Sequence, residues 1–408
     1  MKCRHCANEL TLPFLDLGSA PPSNAYLTPA TLNAPEVWYP LRLLVCTHCW
    51  LVQTEDHAGR ESLFSDDYAY FSSFSSSWLV HAQSYVRSMV QRFGLSPSSM
   101  VVEVASNDGY LLQYVQQAGV PCYGVEPTAS TAAAARAKGI EVVGRFFGVA
   151  LAQELVAQGR QADLMVANNV LAHVPDINDF VAGFAQLLKP QGIATFEFPH
   201  LLRMVQQSQF DTAYHEHYSY LSLTAVQKIF AANGLTAFDV QELNTHGGSL
   251  RVLAQRTDLG RHPLSVNLEA VLGEERCAGM IKPDFYSNFC LQPAKIVSDV
   301  LLFLINKVQQ GGRVAAYGAA AKGNTLLNFA GVRPHLLPYV VDKNPAKQGK
   351  FMPGSRIPIV EEAYLKSHRP SHVLILPWNL KDEVMTQLAY IRGWGGQFVV
   401  AVPRLEIL

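Results

Sequence analysis

Short apolar runs recur along the chain, and most of them end in small or polar residues. In the middle of the chain, the run 100–105 ends in the turn 106–109, and a second run follows at 122–125 after a helix-like stretch. The stretches 163–168 and 187–198 add two further strand-like segments. Such runs, alternating with helix-like stretches, are typical of parallel strands in βαβ units. The middle of the chain is therefore predicted to be a doubly wound α/β domain.

The C-terminal third of the chain repeats this pattern. Residues 311–328 have the pattern of a strand, a glycine turn and the start of a helix, and a second strand is predicted at 340–342. The apolar runs 373–376 and 398–402 predict two more strands. This part is predicted to be a second Rossmann-like domain. Near the N-terminus, the run 41–45 predicts a strand.

Composition and charge narrow the class of protein. The chain has 408 residues, of which 49% are hydrophobic, which indicates two or three domains with sizeable cores. Its 32 basic and 33 acidic residues nearly balance, so we expect neither nucleic acid nor a membrane as a partner. The first ten residues have no apolar signal segment, and apolar runs such as 300–305 fall short of a membrane span. We expect a monomeric, cytoplasmic protein.

Four of the seven cysteines form two CxxC pairs. The pairs are Cys3 with Cys6 and Cys46 with Cys49, separated by 39 residues. In an intracellular chain, paired cysteines indicate a metal site rather than disulfides. Two such pairs supply the four thiolates of a structural zinc site, in which no position stays open for substrate. The rival, a redox CxxC, needs only one pair on a thioredoxin-like pattern, which the neighbouring sequence lacks.

The turn after the first strand of the middle domain predicts the type of cofactor. Residues 106–109 contain one glycine and lack the GxGxxG of a dinucleotide site. Glu126 ends the second strand 17 residues after Gly109, a spacing at which a carboxylate can meet ribose hydroxyls. S-adenosylmethionine (SAM) carries no phosphate and a positive sulfonium, which suits a turn with Asp108 and Glu103 nearby. Another nucleotide remains the alternative at this point.

The richest proton-transfer chemistry lies in one run of five residues, Tyr214, His215, Glu216, His217 and Tyr218. Histidine titrates near neutral pH, and tyrosine and glutamate can serve it as donor and acceptor. The run follows a predicted strand, where α/β folds place reacting groups. Two alternatives stay open, a plain polar loop, and a metal site if both histidines project from one face of a strand.

The C-terminal glycine turn and the segments beside it predict an anion site. The turn 318–323 is not a Walker A loop, but backbone amides at a helix start beside Lys322 can hold a phosphate. Lys347 lies in a lysine-containing stretch that follows the next strand, and Trp378 and Asn379 follow a later one. Solvated surface lysines are the alternative.

Three parts follow one another along the chain: the two cysteine pairs, the SAM-type domain with its YHEH run, and the second Rossmann-like domain. This layout resembles the nucleotide-sugar C-3-methyltransferases of deoxysugar biosynthesis. The resemblance covers essentially the full chain. It rests on the motifs SNDGYLL, GVEP, NNVLAHVPD, YHEHYSYLSL, THGGSLR, YGAAAKGN and VVDKNPAKQGKFMPG. It implies a zinc-binding domain at 1–65, a class I SAM-dependent methyltransferase domain at 66–258, and a Rossmann-like domain at 259–408 that helps to hold a nucleotide diphosphate, dTDP in this family.

The resemblance also implies roles for single residues. His217 is expected to be the general base, assisted by Glu216 and Tyr214, with a further tyrosine, Tyr68 rather than Tyr70. Chemical reasoning leads to the same step, because a sugar carbon becomes nucleophilic only beside a ketone, so a 4-keto sugar loses its C-3 proton to give an enolate. Tyr214 and His173 are candidate donors to the oxyanion, although His173 is equally a candidate for a structural histidine.

Two sets of binding residues complete the prediction. The cofactor set is Glu103, Ser106, Asn107, Asp108, Gly109, Glu126, Phe146, Asn168 and Asn169. The substrate set is His246, Lys322, Asn324, Asp342, Lys347, Trp378 and Asn379. Two other functions are weighed against the methyltransferase. One is an NAD-dependent nucleotide-sugar oxidoreductase that uses Asp342, and the other is a non-catalytic zinc- and nucleotide-binding module.

Overall fold

The computed structural model describes residues 1–57, 59 and 71–408, so the predicted Tyr68 lies outside the described residues. The described residues form three β-sheets of four, seven and six strands. Helices connect most of the parallel strands. The predicted α/β class, with an N-terminal metal-binding part and two Rossmann-like parts, is confirmed. The domain boundaries at 65 and 258 stay predictions.

The first sheet is antiparallel and carries the N-terminal cysteines at its end. Its first three strands are β1 (Leu12–Ala20), β2 (Tyr39–Val45) and β3 (Val52–Thr54). In β2, Leu41, Leu43 and Val45 are buried, and Arg42 between them is exposed, as expected for a strand with one face on the core. The fourth strand, Ser219–Tyr220, comes from the middle of the chain and pairs with β3. The pairing places the YHEH run beside the metal-binding part.

The second sheet has five parallel strands and an antiparallel pair, in the order β10-β11-β8-β7-β4-β5-β6. Its strands are β4 (Val101–Val104), β5 (Cys122–Val125), β6 (Val142–Val143), β7 (Ala162–Asn168), β8 (Leu188–Pro199), β10 (Leu235–Leu243) and β11 (Ser249–Arg256). The strand between β8 and β10 in the chain, β9 (Ser219–Tyr220), is the fourth strand of the first sheet. The strand order reverses between β4 and β7. In open α/β sheets, ligands bind at the carboxyl ends of the strands beside such a reversal.

Among the described residues between 71 and 234, seven helices accompany this sheet. They are α1 (Ser76–Phe93), α2 (Leu112–Gln117), α3 (Ala129–Ala137), α4 (Val149–Ala157), α5 (Ile177–Leu187), α6 (Leu201–Gln206) and α7 (Leu223–Ala232). Side-chain caps fix where several of them begin. The Ser222 hydroxyl accepts a hydrogen bond from the Ala225 amide at the start of α7, and the Asp176 carboxylate accepts one from the Asp179 amide at the start of α5.

The third sheet has the order β14-β13-β12-β15-β16-β17. Its strands are β12 (Val314–Tyr317), β13 (Val340–Val341), β14 (Ile359–Val360), β15 (His372–Ile375), β16 (Gln397–Val400) and the antiparallel β17 (Glu406–Ile407). The helices of this stretch of the chain are α8 (Val266–Ala278), α9 (Pro283–Ser287), α10 (Gln292–Gln309), α11 (Ala321–Phe329), α12 (Glu362–His368) and α13 (Lys381–Gln387). Of these, α8 packs on β10 of the second sheet. Here too the strand order reverses, between β12 and β15.

The N-terminal part shares its core with both other parts. Phe14 and Leu43 of the first sheet belong to the same buried cluster as Val314 of the third sheet. Cys46 and Cys49 belong to the cluster that contains Phe184 of the second sheet. The N-terminal part is thus packed between the two Rossmann-like parts.

One stretch corrects the expectation that every apolar run is too short to span a membrane. Within the described residues, Pro283–Gln309 has 27 residues, a mean hydropathy of 1.4, and 39% of its apolar window buried. It combines α9, a 3-10 turn and α10. Ile296, Val300 and Leu304 pack into the core. Length and composition alone are weak grounds for a span, because core helices meet the same criteria.

Candidate active site

A cavity of about 340 Å³ lies where all three parts of the chain meet. It is lined by Asn24 from the N-terminal part, by loops at the carboxyl ends of β4, β5 and β7, and by Lys322 and Asn379 from the C-terminal part. A second cavity, on the surface near Gln153 and Arg256, contains none of the predicted site residues. The central cavity is therefore the candidate active site.

Twelve predicted residues line the central cavity: Asn107, Glu126, Phe146, Asn168, Asn169, His173, Tyr214, His217, His246, Lys322, Lys347 and Asn379. The other described ones lie behind its wall: Glu103, Ser106, Asp108, Gly109, Glu216, Asn324, Asp342 and Trp378. Their predicted contacts with a ligand stay predictions.

The turn after β4 forms the cofactor end of the cavity. Glu126 accepts hydrogen bonds from the Asn107 amide (2.9 Å) and the Thr128 amide (2.9 Å), so its carboxylate ties the β4 and β5 loops together. Asn107 has a positive φ of 48°, which asparagine tolerates better than most residues. Gly109 has a φ of 75°, a left-handed conformation that favours glycine, and a Cβ there would require Ile140 Cδ1, 2.3 Å away, to move.

Several buried polar atoms at this end have no hydrogen-bond partner within the protein. They include both side-chain polar atoms of Asn168 and Oδ1 of Asn169, at the end of β7. Since an unpaired buried polar group is costly, these atoms indicate a missing polar ligand. The residues thus fit the adenosyl and amino-acid groups of SAM.

Glu103 differs from its prediction. Its side chain is fully buried in β4, and burial raises the pKa of its carboxyl well above the ordinary value. Burial thus disfavours the negative charge that would balance a sulfonium. All four residues of β4 are buried, so the Glu103 side chain lies inside the protein.

His217 lies in a turn that follows a 3-10 helix, Phe210–Thr212. Its Nδ1 is 3.0 Å from the Thr212 carbonyl oxygen, and its Nε2 is 2.7 Å from the Tyr214 hydroxyl. A carbonyl only accepts, so Nδ1 carries the proton and Nε2 has the basic lone pair. Burial, reinforced by the neighbouring His173, lowers the pKa of His217 well below its ordinary value. His217 is therefore a neutral base at physiological pH.

His173 stands beside His217, with 4.6 Å between the ring centroids. It belongs to the 3-10 helix Leu171–His173 after β7, and its Nδ1 is 2.7 Å from the carbonyl oxygen of Glu216. Burial lowers the pKa of His173 to about 4. The loop after β7 and the YHEH turn thus place two neutral imidazoles in one wall of the cavity.

His215 and Glu216 of the YHEH run do not line the cavity, whereas Tyr214 and His217 do. The Glu216 carboxylate accepts hydrogen bonds from the backbone amide (3.2 Å) and the side-chain amide (3.1 Å) of Asn24. His215 Nε2 lies 3.2 Å from the carbonyl oxygen of Pro40. The alternative of a His215 and His217 metal site is wrong, because the run is a turn and the rings have different surroundings. Within the described residues, only the four cysteines form a potential metal cluster.

The C-terminal part contributes a cation to the cavity. Lys322, near the start of α11, donates to Asn379 Oδ1 (3.1 Å), and its Nζ lies 4.3 Å from the Trp378 ring centroid. Trp378 donates to Asp211 (2.8 Å), a fully buried residue just before the YHEH run. Burial lowers the pKa of Lys322 to about 8. Asp211 is not among the residues predicted from the sequence, although its position in FDTAYHEHY was a usable signal.

His246 lies at the border between the two ends of the cavity. Its Nε2 is 3.2 Å from the Asn169 side-chain nitrogen, and its ring packs on Trp78. Trp78, in the first turn of α1, also stacks on Tyr110. Trp78 is not among the residues predicted from the sequence, because a single aromatic residue at a helix start forms no pattern that indicates a binding site.

The turn before α11 is stabilised from within the protein. The two oxygens of the Asp342 carboxylate accept the backbone amides of Ala319 (2.7 Å) and Asn344 (2.8 Å). Lys347 donates to the Ala319 carbonyl (2.9 Å), and the Tyr26 hydroxyl donates to the same oxygen (2.6 Å). Asp342 is thus already engaged in shaping this turn.

The four N-terminal cysteines fit a zinc ion. Their Sγ atoms all lie within 4.8 Å of one another, with 3.5 Å between Cys3 and Cys49 and 3.5 Å between Cys6 and Cys46. Zn–S bonds of about 2.3 Å in a tetrahedron require sulfurs about 3.8 Å apart.

Three domain families match successive parts of the chain. A zinc-binding domain family matches residues 3–64, a methyltransferase domain family matches residues 78–240, and a C-methyltransferase C-terminal domain family matches residues 244–403. The C-methyltransferase NovU of Streptomyces niveus is 31% identical over 407 residues, covering 100% of this chain and 96% of NovU.

Solved structures with a similar fold cover about half of the chain. The magnesium protoporphyrin IX methyltransferase of Synechocystis, with bound SAM, is 18% identical, with a TM-score of 0.37, and the match covers 50% of this chain and 100% of that one. The glycopeptide N-methyltransferase MtfA, complexed with SAM, is 14% identical, with a TM-score of 0.34, and the match covers 43% and 94% of the respective chains.

Proposed function

The chain belongs to the SAM-dependent C-methyltransferases that carry an N-terminal zinc-binding domain, and from this premise we propose that it methylates C-3 of a nucleoside-diphosphate 4-keto-deoxysugar. The observation that carries the proposal is the pair of neutral imidazoles, His217 and His173, in a cavity that also holds the unpaired polar atoms of the cofactor end and the Lys322 cation. The resemblance of the chain to the nucleotide-sugar C-3-methyltransferases favours dTDP as the nucleotide.

Methylation of carbon requires a carbon nucleophile. A C–H bond beside a ketone supplies one, because loss of its proton gives an enolate with the charge on oxygen. The reaction therefore needs a neutral base, a donor or cation for the oxyanion, and a methyl donor in the same space. SAM supplies an electrophilic methyl group on its sulfonium. His217, as the base, and Lys322, as the cation, both line this cavity, which matches the first two requirements.

The proposed steps use the tautomers described above. His217 Nε2 takes the C-3 proton as the C–H electron pair moves into the C-3–C-4 bond and O-4 becomes an oxyanion. The Tyr214 hydroxyl, which donates to Nε2 in this structure, turns to O-4 when the sugar binds. Lys322 stabilises the same charge. SAM bound at the cofactor end would supply the methyl group to C-3 and leave as S-adenosylhomocysteine, while C-4 would regain its carbonyl and His217 would pass its proton to solvent.

The role of Glu216 follows from its contacts. Its carboxylate holds Asn24, and its backbone carbonyl orients His173. Burial raises the pKa of this carboxyl. We therefore assign Glu216 a positioning role rather than a direct proton transfer.

The oxidoreductase alternative has less support. The turn 318–323 lacks the GxGxxG of a dinucleotide site, and Asp342 does not line the cavity. The non-catalytic alternative leaves the neutral His217 and the buried Lys322 without a purpose. A direct test is incubation with SAM bearing a ¹³C-methyl group and a dTDP-4-keto-deoxysugar, followed by NMR of the product. A label at C-3 is expected, whereas a label on oxygen or nitrogen contradicts the proposal.

Lys322 gives the reaction a basic limb in its pH profile. Burial lowers the pKa of this ammonium to about 8, so the cation is present below that pH and is lost above it. Turnover at saturating substrate is expected to fall as the pH rises through about 8. Lys322→Met is expected to be slower by at least about tenfold at pH 7 and to lose this limb. Lys343→Met, at a largely exposed lysine, is the control, and an unchanged limb in Lys322→Met contradicts the assignment.

A further inference from the structure

Arg4 lies between the cysteines of the first pair, and its cationic side chain is buried. Only 4% of its side chain is exposed, and apart from Asp56 its hydrogen-bond partners are backbone carbonyls. The guanidinium donates to the Pro175 carbonyl (3.1 Å), to the Thr54 carbonyl (3.0 Å) and to Asp56 (2.9 Å). Metal ligation does not require this residue type, because Thr47, at the same place in the second pair, is exposed. The buried cation therefore needs another explanation.

The contacts of Arg4 lead to both imidazoles of the active site. Pro175 lines the cavity two residues after His173. Thr54 donates through its hydroxyl to the carbonyl oxygen of His217 (3.1 Å), and its amide donates to the carbonyl oxygen of Tyr218 (3.2 Å). The Arg4 guanidinium lies 5.3 Å from the centroid of the Tyr218 ring. One side chain thus bridges the loop of His173 and the turn of His217.

The first cysteine pair is attached to the same two segments by further bonds. Gln53 donates to Cys3 Sγ (3.3 Å) and accepts the Arg4 amide (2.9 Å). Asn178, at the start of α5, donates to the His5 carbonyl (2.8 Å). Because β3 pairs with β9 directly after His217, the cysteine cluster, β3 and the two imidazole-bearing segments form one hydrogen-bonded unit.

We propose that Arg4 is a positioning residue that transmits the geometry of the zinc site to His173 and His217. The zinc site then has a second role besides stabilising the fold, since it helps to hold His217, the proposed base, and the neighbouring His173 in place. The proposal rests on the proposed function for its catalytic consequence, but not for its structural one. A base displaced by about 1 Å can lose about a hundredfold in rate, so this link has a measurable effect.

The test compares Arg4→Met with Arg42→Met in the full-length zinc-loaded protein. Arg42 is a half-exposed arginine of the same sheet, paired with Glu55 and without contact to the cavity, so it is the matched control. ¹⁵N-histidine NMR is expected to show shifted or broadened His173 and His217 resonances in Arg4→Met only. Hydrogen exchange at C-3 of the keto sugar, at saturating sugar, is expected to slow at least about tenfold, with unchanged zinc content and SAM affinity.

The outcomes separate this inference from the proposed function. Wild-type imidazole spectra in a folded Arg4→Met protein overturn the inference, whatever the enzyme does to the sugar. Absence of C-3 exchange in the wild type contradicts the proposed function alone, because the imidazole spectra still test Arg4. If Arg4→Met does not fold, Arg4→Lys keeps the charge but reaches only one of the two carbonyls. Full wild-type exchange in folded Arg4→Lys likewise overturns the inference.

Discussion

Replacing His217 by asparagine or alanine is expected to abolish methyl transfer while leaving SAM affinity nearly unchanged. The Nε2 atom carries the basic lone pair, because Nδ1 is committed to the Thr212 carbonyl, and burial keeps the ring neutral. General-base catalysis contributes about 10²- to 10⁴-fold, so the loss should reach at least that range. Methyl transfer would be followed by mass spectrometry of the sugar nucleotide, and SAM binding by calorimetry.

The control for His217 comes from the same run. His215 is also buried, but it faces the Tyr39 and Pro40 carbonyls and not the cavity. His215→Asn is expected to keep most of the turnover, apart from any loss of stability. A His217 variant that loses SAM binding would instead place this ring in the cofactor pocket and contradict the proposed mechanism.

Removing one zinc ligand is expected to have the largest effect on stability. Cys46 and Cys49 are almost fully buried in the cluster that contains Phe184, and β3, which pairs with the strand after His217, follows them. Cys46→Ala leaves an incomplete site in this core, so the free energy of unfolding should fall by about 4 kcal/mol or more, and soluble protein should decrease. Urea unfolding and zinc content measure the effect.

Cys277→Ser is the matched control, because Cys277 is exposed and outside the cysteine cluster. It should leave zinc content and the unfolding midpoint unchanged. A Cys46→Ala protein that is as stable as the wild type, and fully active, would contradict a structural zinc site.

The longer parallel strands of both Rossmann-like parts were predictable from the sequence, because buried parallel strands are continuous apolar runs, whereas β6, β10, β11, β14 and β17 were not predicted. The run at 122–125 matches β5 residue for residue, and β7 begins one residue before the predicted 163–168. The cysteine cluster was equally clear, since the spacing of the pairs carries the chemistry. These features depend on local pattern and on residue type.

The environment of the catalytic turn could not be predicted in the same way. Asn24 reaches Glu216 across 192 positions of sequence, and Trp378 reaches Asp211 across 167. Such contacts arise from packing of the three parts, and no local pattern encodes them. For the same reason, the sequence placed Glu103 and Glu216 at the ligand, whereas the fold turns both carboxyls into the protein.

Enolisation at C-3 is the central claim, and proton exchange in D₂O tests it most directly. The enzyme would be incubated with a dTDP-4-keto-deoxysugar and S-adenosylhomocysteine in place of SAM, and deuterium at C-3 followed by NMR. We expect exchange in the wild type that disappears in His217→Ala, because the Nε2 lone pair removes the proton before any methyl transfer. Bound sugar without exchange in the wild type, or undiminished exchange in His217→Ala, would contradict the account.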